Sequence, residues 1–396
     1  MITLEQLNAT DAADWVTALG GIFEHSPWVA QRVFGARPYQ SRLQLLNAMR
    51  TAVDQAAPAE QLTLIRAHPK LGLRGRAAAE LTAASAREQR RAGLAACTPA
   101  QLARLEQLNA LYEEKSGFPF ILAVRGHDPA SIIANLERRI ANDGELERRT
   151  ALTQIGAIAA YRLADLVSSA PGPEVVTMLE QLARAEQPAA RTAVGALERE
   201  WMQAAGLDVC TPTGGNPTGG YLVGRTDGDE RRARTLLAGA CLDPRDDTLH
   251  YQGRVAFVTA IEAAQQIRHL GIRPASGLVV LARPKDTRLG DAHGLFDDDS
   301  PGSWVEFAGF AGFAEEAAAA RPDGDTIAIV QALREADVGN GAEAGAMLVR
   351  CAASGGGQGG VGQGVGQASI SAITAAGAER AVRALQAILG RAAAAP

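Results

Sequence analysis

The sequence contains no run of about twenty uninterrupted apolar residues, the length a helix needs to cross a hydrocarbon layer, so no membrane span is expected. Cysteine is scarce, with four in 396 residues. Cys97, Cys210, Cys241 and Cys351 lie far apart and form no CxxC pair. That argues against a disulfide framework or a cysteine-based zinc site and fits a reducing cytoplasm. Positive charge is not in excess either: the formal net charge is −5. A phosphate-backbone partner calls for a basic stripe, so nucleic acid is not an expected partner. The opening "MITLEQLNATDAADWV" lacks the basic flank and continuous apolar core of a signal peptide. What is present is a globular balance, 47% hydrophobic and 21% charged. The length exceeds one ordinary core, which predicts a cytoplasmic, soluble, two-domain protein.

Residues 1–168 read as an all-α bundle of about six to eight helices. "TDAADWVTALGGIF" opens on Thr10 and Asp11 and places Ala13, Val16, Leu19 and Phe23 at helical spacing. "YQSRLQLLNAMRTAVDQA" repeats the pattern with Leu43, Leu46, Met49 and Val53. A third helix starts at Thr98-Pro99 and stops at Gly117. "DPASIIANLERRIAN" and "LERRTALTQIGAIAAYRLADLV" supply two more. The run "GFPFILAV" (117–124) is short and carries Pro119, so it reads as a buried crossing between helices. "SSAPGPE" breaks the pattern, which places a linker at 169–174. In 175–396 a helical stretch reaches to 206. "GGYLVGRT", "RTLLAGACLD" and "SGLVVLARP" then read as strands, with a helix in "RVAFVTAIEAAQQIRHLG", giving an α/β sheet domain. Residues 354–369, "SGGGQGGVGQGVGQAS", are too poor in apolar groups to bury a core and read as a loop, and a last helix follows in "AGAERAVRALQAILGRA".

In the first half, His68 stands directly before Pro69, which biases it toward extended backbone. Taken alone it is a core or capping histidine. Ser85 and Glu88 have the spacing of a capping box, whose bland reading is a helix start, and Gln89 follows. The apolar segment around Phe120, Ile121 and Ala123 can turn backbone N–H and C=O groups toward a polar ligand. Arg162, on a helix of alanines and leucines, would by itself reach solvent or pair with Asp165.

Taken together, "FEHSPWVAQRVF", "RAHPKLG", "SAREQRRAGL", "LNALYEEKSGFPFILAVRG" and "IAAYRLADLV" fall in the order and spacing of one family. Residues 1–168 resemble the 2-oxo-4-hydroxy-4-carboxy-5-ureidoimidazoline decarboxylases, carbon–carbon lyases that complete the conversion of urate to (S)-allantoin. Lys70 stands where an acid is common in that family, and Gln154 where a glutamate often precedes the last arginine. The resemblance implies a cofactor-free, metal-free reaction on a small ureidoimidazoline and a homodimer, while association with other enzymes of urate breakdown is a role open to the second half. It makes His68 the general acid/base, since imidazole is the group poised for proton transfer near neutral pH. Glu88 would bond the substrate's hydroxyl or ureido groups and help set the protonation of His68. Arg162 offers a planar cation to a carboxylate or oxyanion. Pro69, Ser85, Gln89, Phe120, Ile121 and Ala123 complete the expected substrate site.

The second half resembles the metal-dependent allantoate amidohydrolases and N-carbamoyl-amino-acid hydrolases, with their ligands missing. Where that family has His-x-Asp and then an aspartate in a Tyr-Asp-Gly turn, this sequence has Cys241-Leu242-Asp243 and Tyr251-Gln252-Gly253. No glutamate lies between Glu262 and Glu306, and no histidine follows His293. A two-metal hydrolase needs a bridging carboxylate and a general base, which glutamine cannot supply. The expectation is a degenerate, non-catalytic α/β domain. Two alternatives are retained metal-dependent hydrolysis using Cys241, Asp243, His250 and His293, and a binding or scaffold module.

Overall fold

The computed structural model describes residues 1–72, 81–185, 194–210, 222–226, 235–238, 247–271, 278–282, 304–310, 347–351 and 382. The chain divides into two compact units, Met1–Ser168 and Ser169–Pro396.

The first unit is helical. Its described helices are α1 (Leu4–Asn8), α2 (Ala12–Leu19), α3 (Trp28–Val33), α4 (Arg42–Asp54), α5 (Pro58–Arg66), α6 (Ala83–Arg91), α7 (Pro99–Ser116), α8 (Pro129–Ile140) and α9 (Gly144–Leu166). The bundle therefore uses more and shorter helices than the periodicity suggests. Most begin on a side-chain cap, because the first N–H groups of a helix have no partner within it. Asp11 accepts from the Asp14 N–H, Ser41 from that of Gln44, and Asp143 from that of Leu146. Thr98 and Gln101 cap each other reciprocally at the start of α7, which Gly117 ends in the left-handed region at φ 73°.

The core follows side-chain volume. Leu43, Leu46, Met49 and Val53 of α4 are all buried as their spacing requires. In α2 the expected Leu19 is buried, as is Phe23 beyond it, but the rest of the expected stripe is not. Trp15 and Leu19 point inward while Ala13 is exposed, because the indole offers far more apolar area than a methyl group. Trp15 also keeps its polar end satisfied, donating to the Ala30 carbonyl at 2.8 Å. Residues 118–124 form the buried crossing, without helix or strand. A short parallel ladder, β1 (Ile2–Thr3) with β2 (Val167–Ser168), pairs the two ends of the unit.

The second unit contains α10 (Pro171–Ala185), α11 (Val194–Ala204) and α12 (Asp247–His269). Its sheet strands are β3 (Asp208–Cys210), β4 (Leu222–Thr226), β5 (Thr235–Ala238), β6 (Leu278–Ala282), β7 (Trp304–Phe310) and β8 (Met347–Cys351). They lie in the order β3-β4-β6-β5-β7-β8. The central pairs β5–β6 and β5–β7 are parallel, and the outer pairs are antiparallel. The expected strands appear as β4, β5 and β6.

Two expectations are corrected here. Residues 169–174 are not an open linker: α10 starts at Pro171, and the Ser169 hydroxyl binds the buried Glu174 carboxylate. Proline at a helix's first position needs no N–H partner, so the proline that reads as a break opens a helix instead. Likewise Tyr251-Gln252-Gly253 is no turn but lies within α12. Cys241, Asp243, His293, the 354–369 segment and, apart from Val382, the last expected helix fall outside the described residues.

Candidate active site

His68 lies just past the C-terminus of α5, where its N–H still reaches the Ile65 carbonyl at 3.2 Å. Its Nδ1 lies 3.0 Å from the Leu64 carbonyl oxygen. A carbonyl only accepts, so Nδ1 carries the ring proton and Nε2 holds the lone pair. Nε2 is buried and has no hydrogen-bond partner among the described residues. Burial lowers the pKa of His68 to about 4 against the opposing pull of the Leu64 carbonyl and the Glu24 charge, and nearby Arg162 adds to the lowering. The ring is therefore neutral at physiological pH.

The turn after His68 is pinned to α6. Gln89 Oε1 accepts from the Gly72 N–H at 3.0 Å, and Gln89 Nε2 donates to the Lys70 carbonyl at 3.1 Å. Gly72 sits at φ 79°, and a Cβ there would come within 2.4 Å of Leu105 Cδ2, so the turn demands glycine twice over. Lys70 itself points to Glu113, 2.5 Å away.

Arg162 projects from α9 into a ring of acceptors. Nε donates to Glu88 Oε1 at 2.8 Å and Nη2 to Glu88 Oε2 at 3.0 Å, a bidentate pair. Nη1 meets Glu24 Oε2 at 2.6 Å, and Nη2 also donates to the Ser85 hydroxyl at 3.1 Å. Glu24 is buried and accepts from Thr82 at 2.6 Å and from Ser85 at 3.0 Å. Burial alone would raise the Glu24 pKa, but the Arg162 charge and the hydrogen bonds from Thr82 and Arg162 hold it below the ordinary glutamate value. Burial alone would lower that of Arg162, and Glu88 and Glu24 together hold it above the arginine norm.

Most of the expected site residues come together. His68, Pro69, Ser85, Glu88, Gln89, Phe120, Ile121 and Arg162 line one pocket, whose empty volume is about 350 Å³. Leu71, Leu122, Val124 and Ile158 supply apolar wall that the sequence reading did not include. Ala123 is not in the lining; its N–H donates to Gln154 Oε1 at 2.9 Å. Ser85 and Glu88 do not form a capping box. Thr82 caps α6 by accepting from the Ser85 N–H, which frees Glu88 for Arg162. The Glu24 charge is the carboxylate influence that raises the His68 pKa against its burial. Glu24 is the functional candidate missed, although it lies inside the quoted "FEHSPW". Asp165, the bland partner for Arg162, pairs instead with Arg125 and Arg91.

A buried histidine and a clamped guanidinium thus meet in one half-apolar cavity. Residues 8–164 match the family model described as OHCU decarboxylase. A relative from Haloferax volcanii, named 2-oxo-4-hydroxy-4-carboxy-5-ureidoimidazoline decarboxylase, is 44% identical over 168 residues, which is 42% of this chain and 98% of the relative. Through its first unit, the chain belongs to the OHCU decarboxylase family. Among solved structures, an (S)-allantoin synthase is 30% identical over 43% of this chain and 55% of its own, with a TM-score of 0.36. A hydantoinase/carbamoylase family amidase from Burkholderia ambifaria is 19% identical over 33% of this chain and 36% of its own, with a TM-score of 0.25. No helix among the described residues is long and apolar enough to cross a membrane. No group of three or more His, Cys, Asp or Glu side chains among them is placed to hold a metal ion.

Proposed function

We propose that His68, Glu88 and Arg162 carry the chemistry of the first unit. Its function is the decarboxylation of 2-oxo-4-hydroxy-4-carboxy-5-ureidoimidazoline to (S)-allantoin in urate breakdown. In that reaction the bond to the carboxylate breaks, carbon dioxide leaves, and the bonding pair stays on the ring framework until a proton is delivered to one face. The observation that carries the assignment of roles is the bare, buried Nε2 of His68, fixed in its tautomer by Leu64. A neutral Nε2 takes a proton from the substrate's hydroxyl and returns one to carbon, and a fixed ring delivers it to a single face. Arg162 binds the carboxylate or the developing oxyanion, and Glu88 bonds the hydroxyl or ureido N–H groups. Ser85 and Gln89 hold Glu24 and the 68–72 turn in place and border the substrate. The apolar wall keeps water from competing for the proton.

For the second unit we propose an accessory role. The unit resembles an amidohydrolase domain whose first histidine and bridging aspartate are replaced by Cys241 and Gln252. A homodimer is proposed on the family resemblance, and contacts with other enzymes of urate breakdown are proposed as one form of that accessory role. The test follows freshly generated substrate by its ultraviolet decay and the circular dichroism of the product, using the full chain, His68→Ala and a 1–168 fragment. Fast decay to one enantiomer, lost in His68→Ala and kept in the fragment, is expected. Decay at the spontaneous rate with racemic product would sink the assignment. Added zinc or manganese should produce no allantoate hydrolysis.

A further inference from the structure

We propose that Arg139 and Gln154 are positioning residues for the decarboxylation, fixing the backbone of residues 120–123 as one wall of the pocket. The proposal rests on the first unit carrying out that reaction. Arg139 and Glu147 are buried, and neither lines the cavity. Arg139 Nε donates to Glu147 Oε1 at 2.8 Å, Nη2 donates to the same oxygen, and Nη1 donates to the Ile121 carbonyl at 2.6 Å. Its guanidinium carbon stands 4.5 Å from the centre of the Phe120 ring. Glu147 is held in turn by the Tyr112 hydroxyl at 2.5 Å and by Asn142 Nδ2 at 2.7 Å.

Stability alone gives no reason for this arrangement. A buried ion pair often does no better than apolar groups of equal volume. What apolar groups could not do is grip a main-chain carbonyl. Residues 119–124 belong to neither helix nor strand, so no ladder of backbone bonds sets their register. Arg139 seizes Ile121 and Phe120 from α8, and Gln154 takes the Ala123 N–H at 2.9 Å from α9. The peptide between Ile121 and Leu122 is trans, so fixing the Ile121 carbonyl on Arg139 aims the Leu122 N–H the opposite way. Phe120, Ile121 and Leu122 all border the cavity. The two clamps thus do for an irregular segment what a neighbouring strand does in a sheet, and they hold Phe120, Ile121 and Leu122 in fixed positions along the cavity.

The test uses the full chain carrying Arg139→Lys, Gln154→Leu or Gln154→Glu, with kcat, KM and melting temperature measured for each. Lysine keeps the charge on Glu147 but lacks the fork that also reaches Ile121. Glutamate at 154 can still accept from Ala123, and leucine cannot. The expected result is kcat/KM lower by about tenfold or more in Arg139→Lys and Gln154→Leu, and restored to within about threefold in Gln154→Glu. Wild-type kcat/KM in Arg139→Lys and Gln154→Leu, with only the melting temperature lowered, would overturn the proposal. If Arg139→Lys does not fold, the comparison of Gln154→Leu with Gln154→Glu decides: equal activity in the two overturns it. His68→Ala is run alongside. Full activity there means that the role of His68 has failed, decay at the spontaneous rate in the wild type means that the reaction assignment has failed, and wild-type rates in the clamp variants mean that only the clamps have failed.

Discussion

Arg162 and Glu88 are joined by two parallel bonds of 2.8 and 3.0 Å, so the cation that would receive a substrate carboxylate already holds one. Glu24 holds it from the other side at 2.6 Å. The side chain of Glu88 is 27% exposed and that of Glu24 only 1%, so Glu88 is the partner an incoming anion can displace. Glu88→Gln is therefore expected to bind simple carboxylates such as oxalate more tightly than wild type while decarboxylating more slowly. Calorimetric titration beside a rate assay checks both halves.

Replacing Arg162 by lysine keeps the charge and loses the fork. Lysine can satisfy Glu24 or Glu88 but not both carboxylates and Ser85 in one plane. The expected fall in kcat/KM is about a hundredfold, roughly 2.7 kcal/mol of transition-state stabilisation. Steady-state kinetics of Arg162→Lys would show it, and a fall of less than about threefold would contradict the role.

The acid limb of kcat/KM should reflect His68 at about 4, well below an ordinary imidazole. Because the folded pKa lies below the unfolded value, the unfolded chain binds the extra proton first as pH falls. His68 therefore contributes stability that is present above about pH 6.5 and is lost as pH falls through about 4. Nitrogen chemical shifts of labelled histidine, compared with His68→Ala, should show one ring still neutral at pH 5.5.

Glu24→Gln removes a buried charge from a site built around a cation. Breaking such a pair is expected to cost about 2–4 kcal/mol, moderated here because Glu88 remains. Denaturant melts of the variant measure it, and a change within about 0.5 kcal/mol would show that Glu24 is dispensable.

Gly72→Ala strains a left-handed position and drives a methyl group into Leu105. A loss of about 1–3 kcal/mol is expected, together with reduced activity, since the Gly72 N–H ties the His68 turn to Gln89. Parallel melting and rate measurements check the coupling.

Much of the first unit could be read from the chain because helix ends are encoded locally. Thr98, Pro99, Gln101 and Gly117 announce α7 without reference to anything distant. The α2 face is legible only in part, at Leu19 but not at Trp15, because a stripe can be drawn from Leu19 through Val16 as easily as through Trp15, and only packing volume decides between them. That His68, Glu88 and Arg162 share one pocket is what the family resemblance of whole segments implies, each residue alone having a bland reading. Glu24 was not legible, since its meaning depends on Arg162, Thr82 and Ser85, all far along the chain. Ser85 and Glu88 satisfied a capping rule by coincidence, because Thr82, three residues earlier, satisfies the same geometry. Ala123 and Gln154 show the remaining limit: a backbone N–H has no identity in the sequence, so which side chain claims it emerges only in three dimensions.

The ladder that sets Ile2 beside Val167 and Thr3 beside Ser168 brings the entrance and exit of the first unit to one seam. A unit whose ends meet can be spliced into or onto another polypeptide without stretching its own path. A circular permutant joining Ser168 to Met1 through a few glycines, opened at another surface turn, should keep the pocket intact. The same seam makes the decarboxylase a portable cassette, to which evolution can attach a neighbour at either end at little cost to its interior.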